Sequence, residues 1–334
     1  MSATDTIPFA GLAPERILDA IESVGYRCDG ALMALNSYEN RVWQVGIEGD
    51  RPLIAKFYRP GRWSDGQIEE EHAFCAAMLA DELPVVAPLA IGGKTLFSHG
   101  GFHFSVFPKQ GGRAPEFAEP AILEWMGRLM ARIHQVGVRE DFALRETLDV
   151  HSFGTDSLDW LLANQTLPPD LESVWRGVAE QALEGVAQCY ARAGKVKLLR
   201  LHGDCHAGNV LWTPDGPHFV DFDDARMGPA IQDLWMLLSG DAEEMGRQFG
   251  NVLAGYETFR EFDDHELHLI EALRTLRLMH HSAWLARRWN DPAFPAAFPW
   301  FATNRYWEER ILELREQIAI MQEPPLAPRQ GMRA

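Results

Sequence analysis

The sequence predicts an α+β protein of two lobes: a small antiparallel β-sheet lobe carrying one helix, then a larger helical lobe. Three observations predict it. Runs rich in β-branched and aromatic residues crowd the chain between residues 30 and 107, a pattern that reads as short strands. Apolar residues at helical spacing dominate afterwards. Between the two regimes, Phe107-Pro-Lys-Gln-Gly-Gly-Arg113 interrupts both patterns with one proline and two glycines, the composition of a hinge. The division is therefore 1–107 for the N-terminal lobe and 108–334 for the C-terminal lobe, with 324–334 a disordered tail.

Residues 1–13 read as a loose leader. Pro14 opens a helix in its first turn, where a missing N–H costs nothing; Ile17, Leu18, Ile21 and Val24 form its buried stripe and Gly25 ends it. Strands are expected at 30–35, 40–47 and 52–58, the last two joined by a turn at 48–50. Ser64 and Asp65 start the next helix, which runs to Asp81 with Ile68, Cys75, Met78 and Leu79 facing inward. Further strands are expected at 84–91, 95–98 and 102–107. Beyond the hinge, helices are expected at 119–135, after Pro168-Pro-Asp170 to about residue 193, and at 230–238, 243–259, 264–289 and 305–321. Residues 137–156 read as irregular. Two short strands, 210–212 and 218–221, flank a Pro214-Asp-Gly turn.

Composition narrows the function classes. The 334 residues are 46% hydrophobic and 24% charged, with 31 Lys and Arg against 48 Asp and Glu, a formal charge of −17. Nucleic acid and anionic membranes select for basic surfaces, so neither is expected as a partner. No apolar run reaches membrane-spanning length and no leader has the charge pattern of a secretion signal. Cys28, Cys75, Cys189 and Cys205 are scattered without a C-x-x-C pair, as in a reduced, cytoplasmic protein. The expectation is a cytoplasmic monomer.

The chemistry concentrates in Leu201-His-Gly-Asp-Cys-His-Ala-Gly-Asn209 and His218-Phe-Val-Asp-Phe-Asp-Asp224. Asp204 is placed to take a proton from a hydroxyl. Asn209 and Asp221 offer the oxygen ligands that Mg²⁺ prefers. An acid, an amide five positions on and a second acid ending an apolar run are most of what phosphoryl transfer requires, because its catalysis is positioning and charge neutralisation. Lys56 stands in an otherwise apolar strand, either snorkelling from an edge or meeting an anion. On helical spacing Glu71 falls on the inward face of the helix after it, with Glu70 at the margin and Glu69 pointing elsewhere, so an ion pair of Lys56 with Glu71 is expected and Glu70 is the runner-up. Asp223 is either a second-cation ligand or a turn carboxylate.

This order of parts resembles the protein-kinase-like fold. H-G-D-x-x-x-x-N with a following D-x-D is similar to the aminoglycoside phosphotransferase and choline kinase branch. Leu35-Asn-Ser-Tyr-Glu-Asn-Arg-Val-Trp43, Lys56-Phe-Tyr-Arg-Pro60, 201–212, 219–238 and Trp284-Leu-Ala-Arg-Arg-Trp289 more closely resemble the bacterial stress response kinase A family (SrkA, YihE or RdoA), over nearly the whole chain. The resemblance implies a bilobal kinase using ATP and Mg²⁺ on Ser or Thr hydroxyls of protein substrates, with autophosphorylation plausible. It makes residues 1–107 the nucleotide-binding lobe and 108–334 the catalytic and substrate lobe. Asp204 becomes the catalytic base and Asn209 and Asp221 the metal ligands, Asp221 also acting on the phosphates. Ser37 becomes a nucleotide-site residue, Lys56 the α/β-phosphate lysine, and the backbone from Phe107 to Lys109 the adenine contact. His202 would brace the catalytic loop, and Asp233 would accept N–H bonds from it.

The chain lacks G-x-G-x-x-G, has Asp221-Phe-Asp for D-F-G, and has no A-P-E segment, so control through an activation loop is not expected. A second reading keeps the fold but takes a small alcohol (aminoglycoside, choline or homoserine), with Trp284 and Trp289 as core or pocket. A third is a metallohydrolase with His202, Asp204, Cys205 and His206 around zinc, a spacing too tight for all to converge. A fourth is a nucleotide-binding pseudokinase, though no essential group is missing. Cys205 is either an inert thiol or an oxidant sensor.

Overall fold

The computed structural model describes residues 7–327. Helix α1 (Pro14–Ser23) begins at its proline and buries Ile17, Ala20 and Ile21. Strands β1 (Cys28–Ala34), β2 (Arg41–Ile47) and β3 (Leu53–Phe57) follow, then α2 (Asp65–Ala80), β4 (Phe97–His99) and β5 (Phe102–Pro108). The sheet is antiparallel, in the order β1-β2-β3-β5-β4. Its core gathers Val45, Ala55, Phe57, Phe104 and Val106 with Ile17 and Ile21 of α1. Helix α2 starts in a capping box, Ser64 accepting from the Gln67 N–H while the Gln67 side chain returns to the Ser64 N–H, which satisfies two otherwise orphaned donors.

The second helical stretch opens with α3 (Pro120–Gly137), a single π turn (Val150–Thr155), α4 (Asp156–Ala163) and α5 (Glu172–Ala193), and then β6 (Leu198–Leu201). The hairpin β7 (Val210–Thr213) and β8 (Gly216–Phe219) comes next, followed by β9 (Arg226–Pro229), α6 (Ile231–Trp235), α7 (Ala242–Tyr256), α8 (Ile270–Arg287), α9 (Ala293–Ala297) and α10 (Asn304–Ile320). Two compact units result. One comprises the chain up to Pro115 together with Gly208–Asp224; the other comprises Glu116–Ala207 and the chain from Ala225. The division falls later than the 107/108 boundary drawn from the sequence. Glycine and proline mark where local structure stops, whereas a unit is defined by pairing across the chain. Here Arg113 bridges Trp212 of β7 and Val85 bridges Phe219 of β8.

Several local expectations are corrected. Of the leader, residues 1–6 lie outside the described residues, but Phe9 is buried and stacks on Phe102 with centroids 6.3 Å apart. Of the tail, 328–334 lie outside them, and 324–327 are irregular. Residues 84–91 form no strand, only isolated bridges, because Pro84 and Pro88 cannot donate to a ladder. Leu79 is 48% exposed, and Phe74 fills the inward face of α2 instead. The irregular stretch 137–156 contains the π turn, and the helix expected at 264–289 begins as a 3-10 turn (Asp264–Leu269) before α8. The pairing of β6 with β9 was not expected, because four residues carry too little periodicity to announce a strand.

In the second unit α3 and α7 approach until their backbones touch. A Cβ at Gly127 would lie 2.0 Å from the Val252 carbonyl oxygen, and one at Gly255 would lie 1.9 Å from that of Glu124. Only glycine permits this approach, and it brings His134 Nδ1 within 2.8 Å of the Tyr256 hydroxyl. A separate core joins Trp175, Trp307, Leu161, Phe294 and Ile311, with Trp284 and Trp289 partly buried against it.

Glu266, buried in the 3-10 turn before α8, accepts the Ile231 N–H at 2.8 Å. Burial, reinforced by Asp263, raises its pKa from 4.5 to about 7. A raised carboxyl pKa contributes stability that is full below pH 4.5 and is lost as pH climbs to about 7. From that shift the loss is roughly 3 kcal/mol. Glu266→Gln should therefore gain stability relative to the wild type by about that amount between pH 4.5 and pH 8 in urea unfolding; a difference that does not change with pH would exclude the titration.

Candidate active site

Lys56 lies on β3, paired with Val42 on one side and Ser105 on the other, so it occupies the middle of the sheet and not an edge. Its side chain is buried, with Nζ 3.1 Å from Asp221 Oδ1 and 3.0 Å from Asp223 Oδ1. Burial alone would lower the Lys56 pKa, but Asp221, Asp223 and Glu71 together hold it well above the usual lysine range. Glu71 is buried on α2 while Glu70 is half-buried, so of the two candidates Glu71 faces inward and its charge acts on Lys56.

The hairpin β7–β8 sets the two proposed metal ligands side by side. Val210 pairs with Phe219, and the Val220 N–H donates to the Asn209 carbonyl at 3.0 Å. Asn209 and Asp221 thus stand at the same end of the ribbon. Asp221 has φ +59°, a left-handed conformation that a residue other than glycine adopts at a cost of about 1–3 kcal/mol. The carboxylate so presented is 54% exposed. Asp223, two residues on, is buried. It bridges Lys56 and Arg62, which also pairs with Asp224 at 2.7 Å and with Glu39 at 3.6 Å.

Arg62 lies in none of the motifs quoted from the sequence, and Arg59 lies in Lys56-Phe-Tyr-Arg-Pro60 without a role assigned to it, yet both tie the polar loop 36–40 to this cluster. The Arg59 N–H donates to Asn40 Oδ1 at 3.0 Å, and its Nε lies 2.9 Å from Glu39 Oε1. Ser37 Oγ donates to the Asn40 carbonyl at 2.9 Å, which folds the loop back on itself. Phe107 is half-buried on β5 opposite Ile54, one residue before the strand ends.

In the second unit, Asp204 follows Gly203, whose φ of +85° turns the chain sharply; a side chain there would strain the turn. Asp233 is fully buried and accepts the N–H groups of His202 and Gly203, each at 2.9 Å. Its Oδ2 lies 3.2 Å from His134 Nε2, on α3. Burial, only partly opposed by Asp233, lowers the His134 pKa, so the imidazole is held neutral. Asp233 is thus an interior acid that holds the loop, not a surface one. His134 and Tyr256 extend the brace, and the signal that could have found them is the inward phase of both residues on their helices.

Asp204 itself is engaged on both oxygens: Oδ1 lies 2.7 Å from Arg277 on α8, and Oδ2 lies 3.4 Å from His206 Nε2. Burial would raise its pKa, but the His206 hydrogen bond and the Arg277 charge hold it well below the usual carboxylate range. Cys205 points the other way, its Sγ 3.6 Å from Met130 Sδ in the core. Burial, with Asp233 and Asp204, pushes its pKa well above that of an ordinary thiol, the surroundings of a structural cysteine and the opposite of those that activate a thiolate. That dispersal argues against the zinc reading, and among the described residues no three or more His, Cys, Asp and Glu side chains converge as a metal cluster.

The model of the phosphotransferase enzyme family matches residues 32–270, so the chain is a kinase-fold member of that family. Within it the chain belongs with the stress response kinase A proteins. It is 45% identical to the stress response kinase A of Salmonella choleraesuis (strain SC-B67) over 318 residues, 95% of this chain and 96% of the relative. It matches the serine/threonine protein kinase RdoA of Salmonella typhimurium (strain LT2) at the same identity and coverage. Among solved structures, amicoumacin kinase hAmiN, in complex with AMP-PNP and Ca²⁺, aligns at a TM-score of 0.72 with 19% identity, over 95% of this chain and 96% of that one.

Arg62→Met removes one partner of a buried ion pair and should lower stability by about 3–5 kcal/mol in urea unfolding. Combining it with Asp223→Asn should cost clearly less than the sum of the single variants; strict additivity would show that the two residues do not interact.

Proposed function

We propose that the protein is an ATP- and Mg²⁺-dependent kinase that transfers the γ-phosphate to serine or threonine hydroxyls of proteins, itself included, as part of a stress response. The observation that carries the reading is the buried Lys56 held against Asp221 and Asp223. A lysine this apolar in its strand and this strongly charged suits a polyanionic ligand. Carboxylates outnumber cations around it: Glu39, Glu71, Asp221, Asp223 and Asp224 face Lys56, Arg59 and Arg62. That surplus, with Asn209 at the same end of the hairpin as the exposed Asp221, fits a hard divalent cation. Bound there, Mg²⁺ would neutralise phosphate charge.

The chain's own groups divide the remaining work. Lys56 binds phosphate oxygens, Glu71 keeps its ammonium charged, Ser37 and its loop meet the nucleotide, and the Phe107–Lys109 backbone meets the adenine. Asp204 is ionised far below neutral pH, so it is a weak terminal base. It serves by accepting the hydrogen bond of the acceptor hydroxyl and orienting the oxygen, which is what a loose phosphoryl-transfer transition state asks of it. Asp233, through His202 and Gly203, fixes where that carboxylate sits.

The serine/threonine kinase name of a relative 45% identical across the chain supports a protein acceptor. The distant small-molecule kinases share only the fold. We take the enzyme to act as a cytoplasmic monomer on protein, and not on nucleic acid or membrane. Among the described residues no helix is long and apolar enough to cross a membrane.

Asp204→Ala should reduce phosphate transfer from labelled ATP, onto a protein acceptor and onto the enzyme itself, by about 10²–10⁴-fold. Equal rates for wild type and variant would remove Asp204 from the mechanism. Specific stabilisation by one small alcohol in the presence of a non-hydrolysable nucleotide would replace the protein acceptor with that compound.

A further inference from the structure

One face of α8 leads away from Asp204. Arg277, His281 and Trp284, with Arg288 at the helix C-cap, recur at spacings of four, three and four residues. At about 100° per residue they fall within roughly 60° of arc, and at about 1.5 Å per residue they extend over roughly 16 Å. That is the length of about five extended residues. The stripe begins on the proposed catalytic carboxylate, since Arg277 reaches Asp204 Oδ1 at 2.7 Å while remaining 42% exposed. His281 stacks on Trp284, with centroids 5.6 Å apart and planes 20° apart, and the Arg288 guanidinium lies 5.3 Å from the Trp284 ring.

The charges facing this stripe are mainly positive. Burial, then Arg277 and Arg310, lower the His281 pKa to about 4 against the opposing pull of Asp204. Arg310, on α10, pairs with Glu313, and His206 approaches the other oxygen of Asp204. A chain with a formal charge of −17 therefore sets the Arg277 guanidinium beside its proposed catalytic acid and a second, Arg310, near His281 on the same stripe. A cationic acceptor would meet like charge there, whereas a carboxylate would meet a guanidinium that binds it through two parallel hydrogen bonds.

We propose that this face of α8 selects the acceptor, and that the acceptor is a serine- or threonine-bearing peptide with acidic residues next to the hydroxyl. The proposal rests on the protein-kinase reading above. Arg277 has two functions in it. It recognises the flanking carboxylate, and by turning to that carboxylate it releases Asp204 Oδ1 to accept the hydroxyl hydrogen bond. An acidic acceptor thus uncovers the group that orients it, and Trp284 supplies the apolar floor beside it.

The test compares kcat/KM for a serine peptide flanked by glutamates with that for the same peptide flanked by lysines, in wild type, Arg277→Gln, Arg277→Glu and Arg277→Lys. The ratio between peptides cancels any general damage to Asp204 or to folding. The wild type should favour the acidic peptide by about tenfold or more. Arg277→Gln should abolish most of that preference, Arg277→Glu should invert it, and Arg277→Lys should keep part of it. Phosphorylation of both peptides with no acidic preference, or a preference that Arg277→Gln leaves intact, would overturn the inference and spare the kinase reading. Transfer to a small alcohol or hydroxy acid with no transfer to either peptide would overturn the protein-acceptor reading itself.

Discussion

The first unit depends on a buried charge cluster. Lys56 and Arg62 are both removed from water, and each is held by carboxylates that are themselves wholly or partly buried. Desolvating an ion costs several kcal/mol, and the attraction of a partner repays this only when geometry and further hydrogen bonds are good. Here the compensation is distributed. Asp223 lies between the two cations, Asp221 reaches Lys56 from its left-handed turn, and Glu39 ties the cluster to the loop that contains Ser37. A cluster so arranged fixes the rotamers of its members, which is what a site that works by positioning needs.

The second unit solves a different problem with a different device. The loop that carries Asp204 is fastened through backbone, with Asp233 accepting two consecutive N–H groups. That carboxylate is oriented by His134, which is held in turn by Tyr256. The chain of contacts begins where Gly127 and Gly255 let α3 and α7 meet. The position of Asp204 thus traces back to the absence of two side chains on helices remote from it in sequence. Because the brace is made to main chain, it restricts the loop whatever the intervening side chains do.

Net charge is a poor guide to the charge met locally. The whole chain is acidic, with a formal charge of −17, yet Arg277 lies against Asp204, and Arg277 and Arg310 both act on His281. Long-range potential follows the sum of charges, while contact energy follows the nearest groups, because salt screens exposed charges beyond about 10 Å.

Much of this was legible in the residues. Period-2 and helical patterns located most strands and helices, the hydrophobic phase of α2 chose Glu71 over Glu70, and the spacing from Asp204 to Asn209 to Asp221 offered a candidate acid-and-amide set. These features are local, and local patterns are what a one-dimensional reading detects. The tertiary structure decided the rest. It supplied the pairing of β6 with β9, the move of the hairpin 208–224 into the first unit, and the failure of 84–91 to form a strand. It also supplied the partners of charges whose own neighbours in sequence say nothing: Arg62 with Asp223, separated by 161 positions, and Arg277 with Asp204. An ion pair across such a separation leaves no periodicity behind, since its energy depends on burial and on distance, and both exist only once the chain has folded.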